Sequence, residues 1–211
     1  MSIQHDLISA TKFVGLALVV GLLLAFIQST CELPEARADE PPTGAVAFLL
    51  ERDRAQPSDP RWAVAAEYEA MLIEVAEAEG IDPALFVAMA FLESSFDYKA
   101  VGAIGELGLV QVHGKAKRGC DLSTPRGQAE CGARWLTVVS EDCGKAVILD
   151  KEKCLKTGSK GACSGGLSGY ASGSCAASDR VVGLVLRRLR LANKIRPMLI
   201  GQEKMLASGG F

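Results

Sequence analysis

Apolar residues recur at helical spacing in three segments of the chain. The first begins at Asp59, an N-cap residue followed by proline, and runs to Gly80. The second begins at Asp82, which also precedes a proline, and runs to Ser95, and the third covers residues 179–200. Elsewhere the sequence has no convincing alternating, β-branched run of strand length, so the pattern predicts a mainly α fold.

An uncharged apolar run over residues 13–27 follows Lys12 near the N-terminus and is typical of the hydrophobic centre of an export signal. Fifteen residues are fewer than the roughly 20 that a helix needs to cross a bilayer. Residues 1–30 are therefore predicted to be either a signal peptide or a signal anchor, and an uncleaved segment would hold the chain at the membrane. A small-x-small triplet ends at Ala38 and resembles a signal-peptidase site. We expect an exported protein that is periplasmic, anchored in the inner membrane facing the periplasm, or secreted.

The stretch between residues 31 and 60 contains five of the chain's eight prolines among acidic residues. This composition is typical of a linker, and we predict one over residues 31–58, in which residues 45–50 could form a short docking element. A chain of 211 residues supports one well-filled core. We place a single domain at residues 59–200 and a tail at 201–211.

Six of the seven cysteines are spread through the second half of the chain, and Cys31 would be lost by cleavage after Ala38. An even set in an exported chain predicts disulfides, whose pairing the spacing leaves open. A metal site needs closer ligand pairs and more histidines, so we expect no metal. The six are Cys120, Cys131, Cys143, Cys154, Cys163 and Cys175. Two of them lie in a glycine- and serine-rich stretch over residues 158–175, which is predicted to be rich in loops.

The formal net charge is −2 and the sequence pI is about 5.8. No basic stripe is interleaved with aromatic residues, so nucleic acid is not an expected partner. The third helix carries five cations between residues 187 and 196. They predict either a solvated basic face or a surface that attracts anionic lipid or wall polymer.

Glu93 is the only charged residue between Asp82 and Asp97, on a helix whose other residues are nearly all apolar. A carboxylate on an apolar face loses solvation of its charged form, and the negative end of the helix dipole acts in the same direction. Both effects favour a proton donor. Cleavage of a glycosidic bond needs such an acid to protonate the leaving oxygen.

Four short motifs follow one another along the chain. The first two are Leu92-Glu93-Ser94-Ser95-Phe96 and Gly105-Glu106-Leu107-Gly108-Leu109-Val110-Gln111, and the last two are Gly132 with Trp135-Leu136 and Gly169-Tyr170-Ala171-Ser172-Gly173. Together they resemble the signature of the soluble lytic transglycosylases of the lysozyme-like superfamily. The resemblance covers about Pro60 to Arg196, and its first two motifs are the more specific.

The resemblance implies a lysozyme-like domain of the goose-type class with disulfide-rich loops. It implies that Glu93 is the catalytic acid/base, that Ser94 and Gln111 contact the sugar, and that Tyr170 faces the reacting centre. Gly105 and Gly108 would let the backbone approach the glycan. The implied partner is a peptidoglycan glycan strand, cleaved between N-acetylmuramic acid and N-acetylglucosamine with a 1,6-anhydro product, and no cofactor is needed.

Two departures from the family pattern bear on the substrate contacts. Ala171 stands where the family has asparagine, and His113 with Gly114 replaces a pair that ends in proline. His113 and Glu106 are secondary site candidates, the first as a proton shuttle and the second as another carboxylate, with positions at the rim of the cleft as the simpler interpretation.

Two other functions remain open at this point. One is a lysozyme-type muramidase, in which Glu106 or another acid orients water. The other is a non-catalytic, membrane-tethered protein that binds peptidoglycan, suggested by Ala171 and by the cysteine-rich insertion.

Overall fold

The computed structural model describes residues 44–207 of the chain, with side chains described over residues 44–199. The predicted export segment, the triplet ending at Ala38 and Cys31 lie outside these residues. Within the described part, no helix is both long enough and apolar enough to cross a membrane.

The prediction of a mainly α fold is confirmed. In chain order the helices are α1 (Ala45–Arg52), α2 (Ala65–Ala78), α3 (Pro83–Ser94), α4 (Pro125–Asp142), α5 (Lys151–Thr157), α6 (Lys160–Cys163), α7 (Gly166–Ser172) and α8 (Asp179–Ala207). Two 3₁₀ helices cover Pro60–Val64 and Gly114–Lys117. Between residues 44 and 207, β-type pairing is limited to isolated bridges of Leu107 with Val101 and with Val112.

Helix α3 is the centre of the core. Every residue from 84 to 90 is buried, and α1, α2 and α8 pack around the helix. Asp82 caps its first turn by accepting a hydrogen bond from the Ala84 amide at 3.2 Å. A helix that is apolar all round belongs inside a bundle, so the lone charge of Glu93 at its end lies where the core opens to the surface.

The predicted linker over residues 31–58 contains a helix, where a short docking element was considered. Residues 45–52 form α1, whose apolar residues Ala45, Leu49 and Leu50 are completely buried. The Glu69 carboxylate of α2 accepts a hydrogen bond at 2.7 Å from the Val46 amide, which satisfies a donor at the start of α1. The folded unit therefore begins before residue 59, and the docking element considered at residues 45–50 is part of its core.

Other helix limits differ in smaller ways from the predictions. The segment predicted as one helix from Asp59 to Gly80 begins with the 3₁₀ turn Pro60–Val64 before α2. The last helix continues to Ala207, into the segment predicted to be a tail. The loop-rich stretch 158–175 contains α6 and α7, which are short helices joined by tight turns.

The six cysteines form three disulfides, as predicted, and the structure supplies the pairing. Cys120 bonds to Cys131, Cys143 to Cys175, and Cys154 to Cys163. Three disulfides are compatible with an oxidising compartment. The second bridge joins the end of α4 to the segment after α7, and so fixes the helix that carries Tyr170.

Candidate functional site

A cleft of about 520 Å³ opens where the end of α3, the loop over residues 101–113, α7 and α8 meet. Five side chains singled out in the sequence line it, although they come from separate parts of the chain. They are Glu93, Glu106, Gln111, His113 and Tyr170. The cleft therefore brings together two carboxylates, an amide, an imidazole and a phenol.

Glu93 is not the isolated carboxylate that the local sequence suggested. Arg188 of α8 donates a hydrogen bond from Nη2 to Glu93 Oε1, and the two side chains are 6% and 20% exposed. The cleft therefore presents Glu93 as one half of a largely buried ion pair. Local sequence patterns could not predict this partner, because the two residues are 95 positions apart and lie on different helices.

Arg188 also carries a donor without a partner. Its Nη1 is buried and has no hydrogen-bond acceptor among the described residues, and the side chain lines the cleft. An unpaired buried donor lowers stability unless water or a ligand satisfies it. Because Nη1 has almost no accessible surface, an acceptor oxygen in the cleft could reach it only if the Arg188 side chain moved.

Ser94 does not line the cleft, in contrast to its expected contact with sugar. Its hydroxyl lies 2.8 Å from the Leu109 carbonyl oxygen and 3.2 Å from that of Ala90. Both acceptors are backbone groups, one on the loop and one on α3. Ser94 therefore attaches the loop over residues 101–113 to the end of α3 beside Glu93.

Gly108 is needed for packing inside the protein. Its φ is +73°, and a Cβ atom there would lie 1.9 Å from Gln128 Oε1. Gln128 is buried in α4 and receives a hydrogen bond from the Leu109 amide while donating to the carbonyls of Tyr98 and Leu122, each at 3.0 Å. Sequence reasoning missed Gln128, which holds the loop through these hydrogen bonds from the buried side.

Gly105 lies at the outer end of the same loop and has a φ of +85°. A Cβ atom at this position would meet nothing within 4 Å, and the Gly105 carbonyl accepts a hydrogen bond from Lys117 Nζ at 2.6 Å. Neither Gly105 nor Gly108 lines the cleft. Both glycines shape the loop, and their expected close approach to a glycan stays a prediction.

Gln111 and Tyr170 do line the cleft, and both also bind the loop backbone. Gln111 Nε2 donates to the Gly108 carbonyl at 2.9 Å, and the Tyr170 hydroxyl donates to the Val110 carbonyl at 2.6 Å. Burial raises the pKa of the Tyr170 phenol, and the charge of Glu93 raises it further. The phenol therefore stays protonated and keeps its hydrogen bond.

Glu106 lines the same cleft as Glu93, in a position compatible with the rim that the sequence suggested. Its Oε2 accepts a hydrogen bond at 3.0 Å from the Ile104 amide. Hydrogen bonds from its own amide and from that of Ile104 lower the pKa of the Glu106 carboxyl, and His113 and Lys117 add smaller contributions in the same direction. The cleft therefore contains an anionic carboxylate in addition to the Glu93 pair.

A smaller cavity of about 200 Å³ adjoins the cleft on the α4 side. It shares Gln111, His113 and Tyr170 with the cleft and adds the ring of Trp135. Aromatic rings offer large apolar contact surfaces to a ligand. An extended ligand could therefore continue from the cleft past Trp135.

Comparisons of the chain with protein-family models, curated proteins and solved structures found no match. A functional proposal therefore has to rest on the residues of the cleft and on the motif resemblance.

Proposed function

We propose that this protein is a peptidoglycan lytic transglycosylase with a lysozyme-like helical domain, acting outside the cytoplasm on the bond between N-acetylmuramic acid and N-acetylglucosamine. The observation that supports this function is the convergence of Glu93, Gln111 and Tyr170 on one cleft from three distant motifs. These are the residues to which the family resemblance assigns catalysis and sugar contact. The three disulfides agree with a periplasmic or secreted site of action.

In the proposed reaction Glu93 first donates its proton to the oxygen that links the two sugars, as the bond to the muramic acid C1 breaks. The resulting carboxylate then takes the proton of the muramyl 6-hydroxyl, whose oxygen attacks C1 and closes the 1,6-anhydro ring. Glu93 regains its proton, so one carboxyl group serves both steps. An intramolecular nucleophile requires no second group to activate water.

Arg188 has to release Glu93, and the freed carboxylate has to take up a proton from solvent, before Glu93 can act as an acid. Arg188 Nη1 has no partner among the described residues and is buried, so it would become a donor to the substrate when the Arg188 side chain turns toward the cleft. A carbonyl oxygen of an N-acetyl group is an acceptor of the right kind, and its binding would draw the guanidinium toward the sugar. In this proposal the ion pair holds Glu93 inactive until the substrate binds and replaces Glu93 as the partner of Arg188.

A muramidase is the second candidate because Glu106 lies in the same cleft as an anion. A second carboxylate can orient water, which would give a reducing end in place of the anhydro ring. The Glu93–Arg188 pair favours a third candidate, a membrane-tethered protein that binds glycan without cleaving it, because Arg188 occupies the carboxylate that would have to act on the glycosidic bond.

Mass spectrometry of the sugars released from purified peptidoglycan by the oxidised full-length protein separates these candidates. We expect anhydromuramyl ends that disappear in Glu93→Gln and persist in Glu106→Gln. The matched control is Glu67→Gln, an exposed carboxylate on α2. Reducing ends that require Glu106 would replace the proposal with a muramidase. Strand binding without release of any sugar would replace it with a binding protein.

A further inference from the structure

A second groove, of about 500 Å³, runs beside the cleft between α8, the end of α3 and the end of α1. Leu92 and Arg187 line both cavities, so the groove and the cleft adjoin. We propose that this groove binds the carboxylates of the short peptides that muramic acid residues carry on their lactyl groups. The inference rests on the proposed function and specifies which part of the substrate is recognised next to the cleft.

The groove has a strong excess of positive charge. Arg187, Arg190 and Lys194 lie on one face of α8 at spacings of three and four residues, and Arg52 faces them from the last turn of α1. The one acidic residue in the lining is Asp53, whose carboxylate lies 3.5 Å from Arg61 and is partly neutralised.

These four cations are available to a ligand, unlike their neighbours on α8. Arg188 is paired with Glu93, and Arg196 is paired with Asp82. In the described part of the chain, none of the four groove cations lies within salt-bridge distance of a carboxylate. Lys194 instead lies with Nζ 5.0 Å from the centre of the Phe48 ring, which holds its charge at the side of the groove.

The groove also has an apolar floor, formed by Phe91, Leu92 and Leu191. A peptide combines carboxylates with apolar side chains, so it matches both the floor and the charged walls. A peptide attached to the sugar in the cleft would reach the groove where Leu92 and Arg187 separate the two cavities. Charge, floor and continuity with the cleft all favour this occupant.

The test compares binding of two probes to the full-length chain carrying Glu93→Gln, which prevents consumption of the probe. One probe is an uncross-linked glycan strand with its peptides, and the other is the same strand after an amidase has removed them. We expect the peptide-bearing strand to bind about tenfold more tightly at low salt, and the difference to shrink as salt is raised.

In the variant Arg190→Gln/Lys194→Gln, the advantage of the peptide-bearing strand should disappear, while the bare strand binds as before. The matched control, Arg180→Gln/Lys153→Gln, removes two exposed charges outside the groove and should keep the advantage. Both variants change only exposed side chains, and equal unfolding midpoints would show that each is folded.

Equal binding of the two strands would overturn the inference and leave the proposed function standing. Failure to bind either strand, with no sugar released by the parent protein, would remove both. Unchanged strand binding in Arg190→Gln/Lys194→Gln, together with lost binding to phosphatidylglycerol vesicles, would assign the groove to an anionic membrane surface instead.

Discussion

Arg188 of α8 and Glu93 of α3 form an ion pair at the wall of the cleft, where both side chains are largely buried. The pair joins the central helix of the core to the longest helix of the described chain at the point where the proposed chemistry occurs. It links the stability of the fold to the Glu93 carboxyl, which is the proposed acid/base. A ligand that takes over Arg188 would therefore change the charge environment of Glu93.

Replacing Arg188 with leucine should lower the free energy of unfolding by roughly 3 kcal/mol at pH 7, because it leaves the Glu93 carboxylate partly buried without a counter-charge. Adding Glu93→Gln should recover part of this loss, since an amide needs no cation. Urea unfolding of the two single variants and the double variant measures the coupling. Arg187→Leu, an exposed neighbour, should change stability by less than about 0.5 kcal/mol. Additive losses in the cycle would mean that the two side chains do not interact.

Gly108→Ala and Gly105→Ala provide a matched pair for the loop that borders the cleft. Both glycines have positive φ, but only at Gly108 would the new methyl group collide with Gln128. We expect Gly105→Ala to cost about 1 kcal/mol, from backbone strain alone. Gly108→Ala should cost roughly 3 kcal/mol or more because three hydrogen bonds hold Gln128 in place. Equal losses in urea unfolding would show that the collision is relieved without cost.

Much of the helical framework could be predicted from local sequence. Asp82 with its following proline marks the true start of α3, and Gly80 lies between α2 and α3 as expected. Helix α1 was anticipated only as a short docking element within a linker, because it is short and lies in a proline-rich, acidic stretch. Its stability comes from burial against other helices, which local propensity does not report.

The candidate site was predictable only in part, for a similar reason. The motifs identified Glu93, Gln111 and Tyr170, which do line one cleft. They did not reveal Arg188 or Gln128, whose partners lie far away in sequence. Ser94 and Gly108 were interpreted as substrate contacts, but the structure uses them to hold the loop, and a motif alone cannot separate these two roles.

Asp82 and Arg196 should make stability depend on pH. Burial raises the pKa of the Asp82 carboxyl, but Arg196 and Lys151 outweigh burial and leave it below its ordinary value. The ionised form is therefore favoured by folding, and its contribution is fully present above an unfolded-state pKa of about 3.9 and is lost as the pH falls through the lower folded value. Asp82→Asn keeps an oxygen for the α3 cap and removes the charge.

We expect Asp82→Asn to lower the free energy of unfolding by about 1 kcal/mol at pH 7, since the pair is partly exposed. The loss should shrink as the pH is lowered from 5 to 3. Arg196→Gln should show the same trend, because it removes the other half of the pair. Chemical unfolding at several pH values measures both, and a loss that is constant with pH would contradict the assignment to this ion pair.

The disulfides Cys143–Cys175 and Cys154–Cys163 should differ in how much each stabilises the fold and in how each affects the cleft. They close segments of 32 and 9 residues. Loop-closure entropy predicts losses of about 3.7 and 2.6 kcal/mol, respectively, when each pair is replaced by serines. Thermal unfolding of the two double variants gives the order of these losses, and peptide mapping without reduction checks the pairing.

Of these two disulfides, only Cys143–Cys175 restrains the segment after α7, the helix that places Tyr170 in the cleft. At a temperature where both variants remain folded, Cys143→Ser/Cys175→Ser should therefore release less sugar from peptidoglycan than Cys154→Ser/Cys163→Ser. The second variant is the matched control, because it also lacks one disulfide but leaves the link between α4 and α7 intact. Equal release by the two folded variants would mean that the packing of α7 on α4 holds Tyr170 without the covalent bond.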